Sequence, residues 1–263
     1  MLALICGTGG LPAQVAKAQA EKPLVCVMDG FAPDRLDADL NFCLETLGSL
    51  LIQLGQHGVT DVCLCGAIDR PSLDTSKLDE HTAPLIPLIS DALTSGDDGA
   101  LRAVMALFEQ TGFTVRAAHE LVTDLIAPPG VLSETWPNAQ MREDAKLGAN
   151  VLAALAPMDV GQACVTGGGQ LLGMETIGGT DFMLFHLPDT PLRAQGVLVK
   201  GPKMGQDTRA DMPTIGPSTI ENAQKAGLAG IVIDAGDVIL LQPEECIALA
   251  NATGLVLWSR TGE

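Results

Sequence analysis

Short apolar runs alternate with segments of helical periodicity through the first half of the chain. Three runs, Leu2–Cys6, Leu24–Met28 and Asp61–Cys65, lack the polar alternation of a half-exposed strand. Runs rich in Val, Ile, Leu and Cys are typical of parallel strands that helices cover on both faces. Between them, Leu11–Ala20 and Leu44–Leu54 carry apolar residues at helical spacing. The pattern predicts a Rossmann-like parallel sheet in an α/β protein.

This rhythm stops near Ala127–Leu132, where two prolines and a glycine interrupt regular structure. We therefore expect a Rossmann-like glycine-loop domain over residues 1–130 and a mixed α/β domain over residues 131–263, with the substrate cleft between them. The second half predicts a long helix over Asn138–Ala156 and a hairpin around Gly167–Gly169. The other predicted elements are helices over Ala83–Thr94, Gly99–Thr111, Thr219–Ala226 and Pro243–Ala252, and strands over Thr114–Ala118, Gly196–Val199, Gly230–Asp234, Val238–Leu241 and Leu255–Trp258.

The composition narrows the function classes. Acidic residues outnumber basic residues by 32 to 15, which gives a net charge of −17. A field of that sign repels nucleic acid and anionic lipid, so we expect no nucleic-acid partner. Aromatic residues make up only 3% of the chain, which argues against base-stacking surfaces. The sequence shows no basic signal-peptide start and no apolar run of about 18 residues, so we expect a cytoplasmic protein.

A glycine-rich turn follows the first predicted strand and opens the first predicted helix. Its residues are Gly7, Thr8, Gly9, Gly10, Leu11 and Pro12. Glycines let backbone amides approach phosphate oxygens, and a helix N-terminus favours negative charge. The dinucleotide motif would need a glycine in place of Pro12, while Asp29 after the second strand could contact a ribose. The turn predicts nucleotide or phosphate binding, and a purely structural turn is the alternative.

Basic residues cluster in one part of this acidic chain. Four of the fifteen, Arg193, Lys200, Lys203 and Arg209, fall within seventeen positions, and Asp207 is the one acid between them. Such a cluster is suited to clamp an anionic group such as a phosphate. A solvated strand end is the alternative.

Carboxylates interleave with this cluster. Asp207 and Asp211 stand four residues apart in a loop bounded by proline and glycine, and Glu175 and Asp181 lie upstream. Mg²⁺ prefers one or two carboxylates completed by water and substrate phosphate. Taken singly, each acid reads as a turn residue or helix cap. Taken with the basic cluster, they predict a site that binds a diphosphate through a metal and supplies a base for water.

The chain resembles the LpxI family of UDP-2,3-diacylglucosamine pyrophosphatases over essentially its whole length. The most specific part of the resemblance is the block from Lys200 to Gly216. The motifs that carry it are Ile5-Cys-Gly-Thr-Gly-Gly-Leu-Pro12, Cys65-Gly-Ala-Ile-Asp-Arg-Pro71, Ala118-His-Glu120, Asp159-Val-Gly-Gln162, Gly178-Gly-Thr-Asp181, Lys200-Gly-Pro-Lys203 and Gln206-Asp-Thr-Arg-Ala-Asp-Met-Pro-Thr-Ile-Gly216.

The resemblance implies an enzyme of lipid A biosynthesis in Gram-negative bacteria. Such enzymes hydrolyse UDP-2,3-diacylglucosamine to UMP and 2,3-diacylglucosamine 1-phosphate (lipid X) with a divalent metal, Mg²⁺ or Mn²⁺. It further implies peripheral contact with the cytoplasmic face of the inner membrane. A homodimer is expected from the symmetry of most oligomers.

The resemblance also assigns residues. Asp211 matches the family's essential acid, and Thr180 and Asp181 match its Thr-Asp pair. The resemblance implies a catalytic role for all three residues. Asp211, Asp207 and Glu175 are the implied metal ligands. The implied substrate-binding residues are those of the glycine turn together with Lys200, Lys203, Gln206 and Arg209. One position departs from the family, which usually has Glu where this chain has Gly178.

Three alternative functions stay open at this stage. The glycine turn is compatible with an NAD(P)-dependent dehydrogenase. The glycine at position 178 is compatible with a non-catalytic or diverged nucleotide-binding protein of the same fold. A pyrophosphatase with a soluble UDP-sugar substrate would show the same motifs.

Overall fold

The computed structural model describes residues 1–68, 71–94, 97–203 and 205–261. The chain divides into two units. The first unit comprises Met1–Thr123 together with Asp207–Asp211, and the second comprises Asp124–Gln206 together with Met212–Glu263. The short segment Asp207–Asp211 is therefore far in sequence from the rest of its unit.

A five-stranded parallel sheet forms the centre of the first unit. Its strands are β1 (Leu2–Cys6), β2 (Leu24–Met28), β3 (Leu40–Phe42), β4 (Asp61–Cys65) and β5 (Thr114–Val115). The strand order is β3-β2-β1-β4-β5, with every pair parallel. The helices are α1 (Leu11–Ala18), α2 (Leu47–Gln56), α3 (Ile86–Thr94), α4 (Asp97–Gln110) and α5 (Ala118–Leu121). The predicted Rossmann-like sheet is confirmed.

The strand order of this sheet reverses at β1. The chain moves outward from β1 to β2 and β3, then returns to the other side of β1 with β4. In doubly wound folds, ligands bind at the carboxyl ends of the strands beside such a reversal. The glycine turn after β1 and the Cys65–Pro71 motif after β4 therefore occupy the favoured position. Asp69 and Arg70 of that motif lie outside the described residues.

A six-stranded mixed sheet forms the centre of the second unit. Its elements, with those packed beside it, are β6 (Gly130–Val131), α6 (Ala139–Leu155), β7 (Ala163–Gly167), β8 (Gln170–Met174), α7 (Gly179–Phe185), β9 (Val197–Lys200), β10 (Thr214–Ile215), α8 (Pro217–Lys225), β11 (Gly230–Asp234), β12 (Ile239–Leu240), α9 (Pro243–Thr253) and β13 (Val256–Arg260). The order is β6-β13-β11-β9-β7-β8, in which β13, β11 and β9 are parallel and the other pairs antiparallel. The expected mixed α/β domain is confirmed.

The β7–β8 hairpin owes its turn to a buried carboxylate. Asp144 on α6 is fully buried, and its two oxygens accept the amides of Gly168 and Gly169 at 3.0 and 2.7 Å. Both glycines have positive φ, a conformation that costs glycine little. The predicted glycine hairpin therefore forms around a charged group that satisfies its amides.

Three elements differ in detail from the sequence predictions. The strand predicted over Thr114–Ala118 covers only Thr114–Val115, because Ala118 instead begins α5. The strand predicted over Val238–Leu241 forms as β12, which pairs with β10 outside the six-stranded sheet. Helix α7 was not predicted, because two glycines precede its few residues.

Among the described residues, no helix combines the length and apolarity needed to cross a bilayer.

Candidate active site

A buried hydrogen-bond network links three of the predicted site residues in the second unit. Lys200 ends β9, Glu175 follows β8, and Thr180 lies in the first turn of α7. Lys200 Nζ donates to Thr180 Oγ1 at 3.0 Å, and that hydroxyl donates to Glu175 Oε1 at 2.6 Å. Glu175 and Lys200 are each only 8% exposed. A buried ammonium and a buried carboxylate therefore share one threonine hydroxyl, which fixes the position of all three groups.

The network continues through side-chain amides to a second lysine. Glu175 Oε2 accepts the backbone amide of Gln162 at 2.8 Å, and Gln162 Oε1 accepts from Gln206 Nε2 at 3.3 Å. Gln206 Oε1 in turn accepts the amide of Lys203 at 3.0 Å. Lys203 forms an ion pair with Asp159, a residue at positive φ. Motifs more than 40 positions apart in sequence thus meet around Lys200 and Lys203.

Asp181 lies outside this network although it follows Thr180 in sequence. Its side chain is on the exposed side of α7, where Oδ1 accepts from Asn222 Nδ2 of α8 at 3.0 Å. The catalytic role assigned to Asp181 remains a prediction. In this arrangement its carboxylate joins two helices.

Gly178 makes room for an aromatic ring. A Cβ atom built on Gly178 would lie 2.7 Å from Cγ of Phe182. Any side chain at this position, including the Glu usual in the family, would have to displace that ring. The departure at Gly178 is therefore matched by the packing of Phe182 in this chain.

Arg209 and Asp207 form a bidentate ion pair in the segment that belongs to the first unit. Arg209 Nε and Nη2 donate to the two oxygens of Asp207 at 3.0 and 2.8 Å, and the Arg209 amide also donates to Asp207. Arg209 also pairs with Glu109 of α4. The hydrogen bonds from Arg209 lower the pKa of Asp207 below its usual value of 3.8, and Asp207 raises the pKa of Arg209. The backbone amide of Asp211 donates to the Asp207 carbonyl at 3.1 Å, which closes the turn.

Two of the three carboxylates predicted to bind metal, Asp207 and Glu175, are engaged in other contacts. Both oxygens of Asp207 accept from Arg209, and both oxygens of Glu175 accept from Thr180 or Gln162. Across the ranges that the structure describes, no three His, Cys, Asp or Glu side chains converge as a metal site would require. As arranged here, these residues do not fit a ready-made Mg²⁺ site, and the ligand set stays a prediction.

Backbone hydrogen bonds hold the first half of the glycine turn. Gly7 N donates to Cys65 O at 2.9 Å, and Thr8 and Ala67 exchange two backbone hydrogen bonds. A Cβ on Gly7 would lie 2.3 Å from Ala67 O, and one on Gly66 would lie 2.6 Å from Gly7 O. The amides of Gly7 and Thr8 are thus used within the protein and are not presented to a phosphate.

The second half of the turn is open. No heavy atom lies within 4 Å of a Cβ built on Gly9 or Gly10. Gly10 precedes α1 without a side-chain cap, and Pro12 in the first turn has no amide hydrogen to lose. The first amides of a helix have no partner within it. Gly9 itself forms an isolated bridge with Pro33, and its carbonyl accepts the Asp34 amide at 3.1 Å. Phosphate binding by this turn would therefore fall to the amides of Gly10 and Leu11.

A cavity lies beside the carboxyl ends of β2 and β3 in the first unit. Its volume is about 330 Å³, and Asp29 and the buried Glu45 are among its lining residues. A hydrogen bond from the Asp74 amide lowers the pKa of Glu45, so this carboxylate is ionised at neutral pH. Asp29, the acid considered for ribose contact, therefore borders this cavity.

Arg193 does not join the other basic residues of the predicted clamp. It precedes the amino end of β9, whereas Lys200 ends that strand. Its guanidinium pairs with Asp189 at 3.4 Å. Arg193 and the network around Lys200 therefore lie at opposite ends of β9.

Sequence reasoning assigned no role to Asp234, which lies beside the Lys200 end of β9. Asp234 ends β11, where the preceding residue is in register with Lys200. Its Oδ1 accepts from Arg260 at 2.7 Å, and burial raises its pKa. A Cβ on Gly201 would lie 2.3 Å from its Oδ2. The sequence feature that could have revealed Asp234 is an acidic residue at the carboxyl end of a buried parallel strand, where ligand sites form in this fold class. Gln162 and Asp159 were also outside the predicted set.

Comparison with known proteins decides the family. Residues 1–125 match the model of the LpxI N-terminal domain, and residues 128–258 match that of the LpxI C-terminal domain. The chain belongs to the LpxI family. A protein of Caulobacter vibrioides named UDP-2,3-diacylglucosamine pyrophosphatase LpxI is 35% identical over 97% of this chain and 95% of its own length. The buried network in the second unit lies within the residues that match the LpxI C-terminal domain.

Proposed function

We propose that this chain hydrolyses the diphosphate of UDP-2,3-diacylglucosamine to UMP and 2,3-diacylglucosamine 1-phosphate. The observation that carries the proposal is 35% identity, across nearly the whole of both chains, to a protein named for that activity. The reaction adds water to one phosphorus atom and breaks the bond to the bridging oxygen. Membership of the LpxI family does not favour the dehydrogenase alternative.

The geometry supports this chemistry through its fixed positive charges. Diphosphate hydrolysis develops negative charge on phosphate oxygens, and preorganised cations stabilise such charge. The buried network fixes the Lys200 ammonium through Thr180, and an ion pair with Asp159 holds Lys203 three residues further along the chain. We propose that these two ammonium groups neutralise the diphosphate, with the Thr180 hydroxyl as a hydrogen-bonding neighbour.

Asp211 is proposed as the base that accepts the proton from the attacking water. The resemblance assigns it as the essential acid, and its backbone amide closes the Asp207–Asp211 turn. Dependence on Mg²⁺ or Mn²⁺ is carried by the resemblance alone. Glu175 and Asp207, two of the residues implied to hold such a metal, are engaged by neighbouring groups in this structure.

We further propose that the enzyme acts in lipid A biosynthesis at the cytoplasmic face of the inner membrane, as a homodimer. The acyl chains in the name of the Caulobacter relative support a lipid-linked substrate. Sedimentation of the purified protein, with and without vesicles, tests both the dimer and the membrane contact.

The test of the proposed function is UMP release from UDP-2,3-diacylglucosamine by purified protein, with and without Mg²⁺. We expect metal-dependent release of UMP and lipid X. The variant Asp211→Ala should lose at least about a hundredfold in rate while still binding substrate, because a general base contributes that much or more. Absence of release from folded, substrate-binding protein would contradict the proposal, and turnover above a few per cent in the variant would remove the role of Asp211.

A further inference from the structure

Helix α7 carries large apolar side chains on its exposed side. Ile177, just before the helix, is fully exposed, and Phe182 and Phe185 are 53% and 70% exposed. Two of the six phenylalanines of the chain thus lie in the open on one seven-residue helix. Contiguous exposed apolar side chains mark binding sites more often than chance surface. We name Ile177, Phe182 and Phe185 the α7 apolar surface.

The orientation of α7 is fixed by its other face. Met183 and Leu184 are buried and belong to the core of the second unit. Phe182 stacks on the ring of His186 at a centroid distance of 4.0 Å and covers Gly178. Because the buried face holds the helix, the exposed phenylalanines cannot turn inward without removing Met183 and Leu184 from the core.

The same helix connects this surface to the lysine network. Thr180, in its first turn, accepts the hydrogen bond from Lys200. A helix of seven residues is about 10 Å long. A ligand whose phosphate lies at Lys200 would therefore reach the α7 apolar surface with groups attached within one sugar ring of that phosphate.

We infer that the α7 apolar surface binds the acyl chains of the substrate. The inference rests on the proposed function, in which the sugar next to the diphosphate carries two acyl chains. Contact between these exposed side chains and the methylene groups of an acyl chain removes apolar surface from water, which is favourable. The polar end of α7 and its apolar side then match the two ends of one amphipathic molecule.

Charge and area favour this occupant. Exposed Asp181 on α7 and the net charge of −17 oppose insertion of the α7 apolar surface itself into an anionic bilayer, which leaves the proposed membrane contact to another part of the chain. Three side chains supply on the order of 400 Å² at most, about half of the ~800 Å² per partner in a stable protein interface. An acyl chain needs no larger surface.

The test compares two substrates on matched variants. The double variant Ile177→Ser/Phe185→Ser removes two exposed side chains, and Trp136→Ser removes an exposed aromatic outside α7 as the control. Hydrolysis is measured with long-chain UDP-2,3-diacylglucosamine and with its diacetyl analogue in the same detergent. We expect kcat/KM of the double variant to fall about tenfold or more on the long-chain substrate and less than about twofold on the analogue. The control should change neither value.

An equal loss on both substrates, or no loss on either, would overturn the inference. So would a loss that requires added vesicles, which indicates a bilayer, or a change in sedimentation that indicates a second copy. If the wild type hydrolyses neither substrate, the proposed function fails. Binding of long-chain and diacetyl glucosamine 1-phosphate to the same variants then decides the inference by itself.

Discussion

The two regions that carry the site motifs are held together in different ways. In the second unit, Lys200, Thr180 and Glu175 meet through side chains, and the two charged members are almost fully buried. In the first unit, Gly7 and Thr8 meet Cys65 and Ala67 through backbone atoms. A side-chain network fixes which residue types are needed. A backbone turn only determines where a side chain cannot be accommodated. The side-chain network should therefore be sensitive to removal of a side chain, and the backbone turn to addition of one.

Glu175→Ala should give the largest loss of stability. The change removes the carboxylate that accepts from Thr180 and Gln162, in a network that contains the buried Lys200. Removing one member of a buried charged network costs about 3–5 kcal/mol. We expect that decrease in the free energy of unfolding by urea denaturation, with a loss of at least tenfold in kcat/KM. Glu175→Gln keeps an acceptor for Gln162 and should lose less. A change below about 1 kcal/mol in the alanine variant would mean that the network does not hold the region.

Gly66→Ala should give the next largest effect. Gly66 has φ of +90°, and its new Cβ would lie 2.6 Å from Gly7 O. Backbone strain and overpacking together cost about 2–4 kcal/mol. The matched control is Gly10→Ala, where φ is −86° and the space is open, so the change should stay below about 1 kcal/mol. Equal melting temperatures for the two variants would contradict the backbone account of this turn.

Arg209→Gln should have the smallest effect on stability. It tests whether a side-chain ion pair contributes much to stability when it is not buried. Arg209 and Asp207 are also joined through side chains, but Arg209 is 38% exposed. Such pairs contribute about 1 kcal/mol or less. Because Arg209 lowers the pKa of Asp207, the contribution is present above the ordinary aspartate value of 3.8 and is lost as the pH falls through the lowered value. Urea denaturation should therefore show a wild-type advantage at pH 7 that shrinks in acid. An advantage independent of pH would exclude the ion pair as its source.

The sequence predicted the buried strands well because their pattern is local. The strands Leu2–Cys6, Leu24–Met28, Asp61–Cys65 and Gly230–Asp234 have the predicted bounds, since short runs rich in Val, Ile, Leu and Cys between turn residues favour a doubly covered strand. The three-residue strand Leu40–Phe42 was missed because its stability comes from pairing with β2 and hardly from its own residues.

The candidate site was predictable in residue type but not in arrangement. The resemblance selected Glu175, Thr180 and Lys200, yet only the fold shows that they share one hydroxyl. Glu175 was expected to bind metal because nothing local reveals that the Gln162 amide lies against it. Asp234 went unassigned because its neighbours Gly201 and Arg260 are set by strand order, which is a long-range property.

The origin of the first unit in two stretches of chain restricts how its gene can be divided. Asp207–Asp211 belongs to that unit, in which Arg209 pairs with Glu109 and Ala210 packs on the core. A gene fragment that ends at the codon for Thr123 would encode an incomplete first unit, because it lacks Asp207–Asp211. A single recombination crossover near the same point would leave each hybrid with one segment inherited from the wrong parent. We therefore expect the two halves of this chain to be exchanged between genes only together, and not one at a time.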